Sequence, residues 1–137
     1  FAKKYTSGVM NKTILGTGAF FGFLAVVLGA LGAHALKALL SAEALESFRT
    51  GVSYQMYHAL FLLFLGSTTR VADRIKRVLY FLVLAGILCF SFSIYALTTG
   101  PLAGLDFSPI GWITPVGGIL LISSWLLLLY RVFRPVT

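Results

Sequence analysis

Four apolar stretches separated by short polar interruptions set the pattern of this chain, and the first, Thr13 to Ala33, runs without a single charge. Its twenty-one residues, at about 1.5 Å each, reach roughly 31 Å, the thickness of a bilayer's hydrocarbon core. A stretch apolar on every side predicts a helix in lipid, because a soluble helix keeps one polar face. The same reasoning places spans at about 13–36, 52–69, 78–98 and 109–131. The predicted fold class is therefore all-α: a four-transmembrane-helix bundle over 13–134 with antiparallel up-down connectivity, preceded by a basic N-terminal segment, 1–12.

The interruptions add detail. From Ser41 to Gly51 the chain is amphipathic and carries Glu43 and Glu46. This predicts an amphipathic interfacial helix between spans 1 and 2, with Ser41 as N-cap and Glu43 placed to suit the helix dipole. It either kinks at Gly51 or continues straight into the second span. Pro115 either bends the last span or, with Thr114 as cap, begins its regular part. Residues 1–12 followed by the apolar run imitate a secretory signal, but the run is too long for a signal's core, which predicts a retained span.

Small residues mark where helices approach one another. Gly18, Gly22, Ala25, Gly29 and Gly32 follow at steps of four, three, four and three, lining one face of the first span with a groove and making it the expected packing post. Gly86 and Ser93 repeat the pattern in the third span, and Gly118 thins the fourth. Gly18 and Gly22 also form a GxxxG pair, which speaks for close packing more than for dimerisation.

Composition agrees with lipid: the 137 residues are 58% hydrophobic and 11% charged, outside the soluble range. The net charge of +7 does not indicate nucleic acid, because the basic residues flank the spans instead of forming a face. With four spans, nine Lys and Arg fall on one side, among them Arg70, Arg74, Lys76, Arg77, Arg131 and Arg134, while only Lys37 and Arg49 fall on the other. All eight are expected headgroup contacts. The positive-inside rule then puts both termini in the cytoplasm of a bacterial inner membrane, or in the matrix of a mitochondrial one. A lone Cys89 excludes an intrachain disulfide.

The residues able to do chemistry are few. His34, Tyr54, Gln55, Tyr57 and His58 are expected at the outer end of the bundle as a polar cluster. The two imidazoles either hydrogen-bond within the bundle, or ligate a metal or haem or relay protons. On an ideal helix His34 lies roughly 160° from the glycine groove, so it faces another neighbour or sits beyond the helix end. Zinc normally needs three or four protein ligands, and no third is in view. No phosphate-binding loop, activated nucleophile or carboxylate dyad is present, and no acidic residue lies inside a span, which argues against an ion-coupled carrier. No catalytic residue, metal or cofactor is expected.

Three segments carry a family likeness: Gly29-Ala-Leu-Gly-Ala-His-Ala-Leu-Lys37, Phe48-Arg-Thr-Gly-Val-Ser-Tyr-Gln-Met-Tyr-His-Ala-Leu60, and Thr114-Pro-Val-Gly-Gly118 followed by Trp125. Over nearly all of Met10 to Arg134 the chain resembles the YgdD/YwdK-like proteins, small multi-pass membrane proteins catalogued as a domain of unknown function. The resemblance implies a four-span protein of bacterial inner-membrane type and carries over no activity or cofactor. The expected role is thus a non-enzymatic accessory or stabilising subunit, in contact with the bilayer and with other membrane subunits or itself. The alternatives are a ligand-binding or transport module with a polar cavity between the first two helices, and a haem- or quinone-linked subunit.

Overall fold

The computed structural model describes residues 2–136, and they form four helical rods with no strand among the described residues. Helix α1 is Ala2–Ala33 and α2 is Ala42–Ser67. The third rod begins as α3, Asp73–Ile87, widens through a π-turn at Leu88–Phe92 and continues as α4, Ser93–Thr99. Helix α5, Ile113–Val132, is the fourth rod. The all-helical class is as expected.

Three rods, Ala2–Ala33, Asp73–Ala103 and Ser108–Val132, are long and apolar enough to cross a membrane. Helix α2, with 26 residues, has the length but not the apolarity. Glu43, Glu46 and Arg49 occupy its first turns and Gln55 and His58 its middle, so only its last third is purely apolar.

The separate interfacial helix is not observed. Ser41 does cap, its Oγ accepting the Ala44 N–H at 3.1 Å, with Glu43 in the first turn. The helix then passes Gly51 unbroken, because that glycine serves a neighbour: a methyl there would lie 2.9 Å from Tyr95 Cε1. Helix α1 already includes the basic residues from Ala2 onward, and the third rod begins at Asp73. Pro115 is the third residue of α5, where no intrahelical donor is needed, so it forces no bend. Thr114 does not cap; its hydroxyl pairs with that of Ser93.

The most enclosed rod is α2, not α1. It packs on α1, α3 and α4, and it buries ten residues, against five on α1. The α1 groove is the seat for α2. A methyl on Gly18 would lie 2.9 Å from the Ala59 carbonyl oxygen, one on Gly22 3.8 Å from Ala59 Cβ, one on Gly29 3.6 Å from Val52, and one on Gly32 3.1 Å from the Phe48 ring. Ala25 is buried on the same helix. Across the other seam Gly86 admits Leu121, and Gly117 meets the π-turn so closely that a methyl would lie 2.6 Å from the Cys89 carbonyl carbon. Gly118 only grazes the Phe90 ring, at 3.8 Å, so Gly117 is the tight point of α5. Ile14, Phe21, Leu62, Leu79, Val83 and Leu121 belong to the shared core. Outside it, the loop before α5 is closed by Asp106, whose carboxyl is held below the usual range by the Ser108 hydroxyl and amide.

Gly117→Ala is expected to destabilise the protein by about 2 kcal/mol, the scale of overpacking. Gly16→Ala, with open space around its Cα, should be neutral or stabilising by up to about 1 kcal/mol. Thermal unfolding of both variants in detergent micelles checks the pair, and equal behaviour would mean that α5 does not lie on the π-turn.

Candidate functional site

A polar side chain inside an apolar bundle must find its partners in the protein, since none is supplied by lipid. Helix α2 carries two such groups, Gln55 and His58, fully or almost fully buried. The Gln55 amide nitrogen donates to the Phe21 carbonyl of α1 at 2.9 Å, and its Oε1 accepts the Tyr95 hydroxyl of α4 at 2.7 Å. One side chain therefore clamps three rods. One turn earlier on α2, the Gly51 carbonyl accepts the Ser91 hydroxyl at 2.7 Å. Ser91 belongs to the π-turn, whose extra residue changes which side chains of the third rod face α2.

His58 is held at both nitrogens. Its Nδ1 lies 2.7 Å from the Tyr54 carbonyl, and since a carbonyl only accepts, Nδ1 carries the proton. Nε2 then offers its lone pair to the Trp125 indole N–H of α5, at 3.0 Å. The tautomer follows from the two bonds. With both nitrogens engaged, the imidazole has no lone pair free for a metal. Trp125 also sets its ring edge-on to Phe61, 4.9 Å between centroids at 81°. Beside this pair, Ser93 bonds the Cys89 and Phe90 carbonyls and Thr114, and Ser124 bonds the Leu121 carbonyl. Among the described residues no buried side-chain polar atom is left unpaired.

The structure brings together only part of the expected cluster. Gln55 and His58 are interior, while Tyr54 and Tyr57 lie with tilted rings 5.7 Å apart and are exposed. His34 does not join them: α1 ends at Ala33, and His34 sits exposed in the turn beyond it, its backbone N–H bonded to the Ala30 carbonyl. No group of three or more His, Cys, Asp and Glu able to hold a metal occurs among the described residues.

The open space is also elsewhere than expected. Gln55 occupies the α1–α2 seam at that depth. A cleft of about 260 Å³ lies instead where Trp125 crosses from α5 to α2, lined by Tyr54, His58, Phe90, Leu121, Ile122 and Trp125. Sequence reasoning missed Tyr95, Ser91 and Trp125 as partners. The signal for Tyr95 and Trp125 was there: a hydroxyl or indole N–H in mid-span needs an acceptor.

The expected headgroup cations differ in setting. Lys37, Arg49, Arg70, Arg74, Arg77 and Arg134 are exposed and Arg131 half-buried, with the Arg134 guanidinium 4.8 Å over the Tyr130 ring. Lys76 is buried, its Nζ donating to Asn11 Oδ1 at 3.0 Å.

Comparison with known proteins finds relatives named as membrane proteins. The family described as "Protein of unknown function (DUF423)" matches residues 28–118. A UPF0382 membrane protein of Haemophilus influenzae is 38% identical over 125 residues, 91% of this chain and 97% of that protein. The UPF0382 membrane protein YwdK of Bacillus subtilis is 37% identical over 122 residues, covering 85% and 93%, and a Staphylococcus aureus UPF0382 membrane protein is 35% identical over 123 residues, covering 90% and 97%. No solved structure matches the chain.

Gln55→Leu and Tyr95→Phe should each lower stability by roughly 1 kcal/mol, the scale of an interhelical hydrogen bond in a membrane protein. The double variant should lose less than the sum, since both remove the same bond. A double-mutant cycle by denaturant unfolding in mixed micelles reads the coupling, and strict additivity would remove the bond from the account.

Proposed function

The chain belongs to the DUF423 family of membrane proteins of unknown function, and we propose that it is a four-span bundle acting by helix contact, as a non-enzymatic accessory or stabilising subunit of a membrane assembly. The fourth span in this reading is α2. Its polar residues lower its hydropathy, yet they bond to α1, α4 and α5, so the protein and not water satisfies them. Neighbouring rods run antiparallel, which supports up-down connectivity. Gly18, Gly29 and Gly32 oppose Ala59, Val52 and Phe48 in falling order, and Gly86, Phe90 and Ser93 likewise oppose Leu121, Gly117 and Thr114. With the nine cations of one side held inside, both chain ends lie in the cytoplasm of a bacterial inner membrane, or in the matrix of a mitochondrial one.

The observation that carries the contact role is the pairing of the interior polar groups with one another. The glycine seams that let backbones touch are features of a packing element. The cleft at Trp125 favours a second reading, a site for a small apolar ring, because aromatic side chains from two rods line it.

Two measurements test these readings. Single cysteines placed by Lys37→Cys and Asp106→Cys, in a Cys89→Ala background, should react with a membrane-impermeant maleimide on intact cells, and those from Lys3→Cys and Arg134→Cys only after lysis. The reverse pattern at any site breaks the four-span topology. A mild-detergent pull-down from native membranes, read by mass spectrometry, should recover a stoichiometric protein partner or a second copy. Recovery of a bound small molecule alone would instead support the ring-binding reading.

A further inference from the structure

A lysine that served only to orient a span would lay its stem along lipid and keep its ammonium in the headgroup water. Lys76 does not. It is 2% exposed and turned inward between α3 and α1, with its Nζ donating to Asn11 Oδ1. An ammonium has three N–H donors, and this bond accounts for one of them.

Beside Lys76 opens a crevice of about 490 Å³, walled by α1, the α2–α3 turn, the start of α3 and Val136 beyond α5. Lys3, Ser7 and Asn11 line it from α1, and Asp73, Arg74 and Lys76 from α3. An adjoining hollow of about 240 Å³ shares Lys3, Ser7, Asp73 and Arg74 and adds Arg77. Among the described residues, Lys3, Arg74, Lys76 and Arg77 thus line one concave surface with the single carboxylate of Asp73, and with the hydroxyls of Thr6, Ser7 and Thr69 and the amide of Asn11. The first turn of α3 opens here as well, with no side-chain cap from Ala72, which leaves its leading amides facing the same end.

We propose that this crevice binds a phosphate-bearing anion, either the headgroup of an anionic membrane lipid or a soluble phosphate. An Arg guanidinium presents the planar fork that takes two phosphate oxygens, and the lysines add point charges from the opposite wall. Asp73 limits the site to a ligand whose charge reaches Lys3 and Lys76. The site is independent of the contact role: it uses the charged rim of α1 and α3, and its failure would leave the bundle's helix seams as described.

The test uses the full chain in phosphatidylcholine nanodiscs doped with phosphatidylglycerol, with native mass spectrometry counting retained lipids. The wild type should retain phosphatidylglycerol over phosphatidylcholine by about tenfold, and Arg74→Gln and Lys76→Met should each reduce that preference to about twofold, the scale of lost charge-assisted hydrogen bonds. The pair Arg131→Gln and Arg134→Gln, which removes charge outside the crevice, should leave it intact. Lys76→Met also breaks the Asn11 bond, so Arg74→Gln, at an exposed position, carries the test if that variant fails to fold. A second arm titrates inorganic phosphate and reads ³¹P line broadening. Broadening that depends on Arg74, without lipid preference, assigns the crevice to a soluble phosphate; lipid preference without broadening assigns it to a headgroup. Absence of both, or equal loss in the Arg131 and Arg134 pair, overturns the proposal.

Discussion

In a lipid setting, a polar group inside the bundle must be answered from within the protein, and in this chain that demand falls mostly on one helix. Gln55 and His58 sit where α2 is surrounded by the other rods, and each reaches two partners. Losing either partner strands the other in an environment without water, at a cost of about 1–3 kcal/mol for a neutral group. The bonds therefore set the register of the bundle more than they add to its stability. A slide of α1 along α2 by one turn would remove the Phe21 carbonyl from Gln55, and a rotation of α5 would withdraw the indole from His58.

Those bonds reach only because the backbones are close, and the glycines make them close. Gly18 lets α1 lie on the Ala59 carbonyl, Gly51 lets Tyr95 cross α2 to meet Gln55, and Gly117 lets α5 rest on the π-turn. Packing and hydrogen bonding are thus one device here. A side chain at Gly51 would displace Tyr95 and open the Gln55 bond without touching either polar residue.

Much of the architecture was legible in the sequence, because length, apolarity and small-residue spacing act locally. The helical class, the Ser41 cap and the glycine face of the first helix all follow from neighbours within one or two turns. The partners of α2 did not: the sequence places a span at 52–69, but apolarity says nothing of who satisfies Gln55. Nor did the π-turn, which arises from tertiary fit between Ser91, Gly51 and Gly117 and has no pattern of its own. Of the polar cluster, the Gln55–His58 pair was readable from spacing on α2; Tyr95 and Trp125, forty and sixty-seven residues further on, announce only that each needs an acceptor, and which acceptor is set by the tertiary fold. His34, expected with the cluster, takes the other position left open for it, beyond the helix end, because α1 stops one residue before it.

The way the polar groups are engaged also divides the molecule by the kind of ligand each part can recognise. At the Trp125 cleft the imidazole has both nitrogens committed, so a guest there meets ring faces and alkyl groups and is selected by shape. At the basic end Lys76 uses one donor on Asn11, and Arg74 presents an exposed fork, so a guest there is selected by charge. Directional recognition of a charged molecule thus belongs to the rim of the bundle, and its interior is left to hold the helices in register.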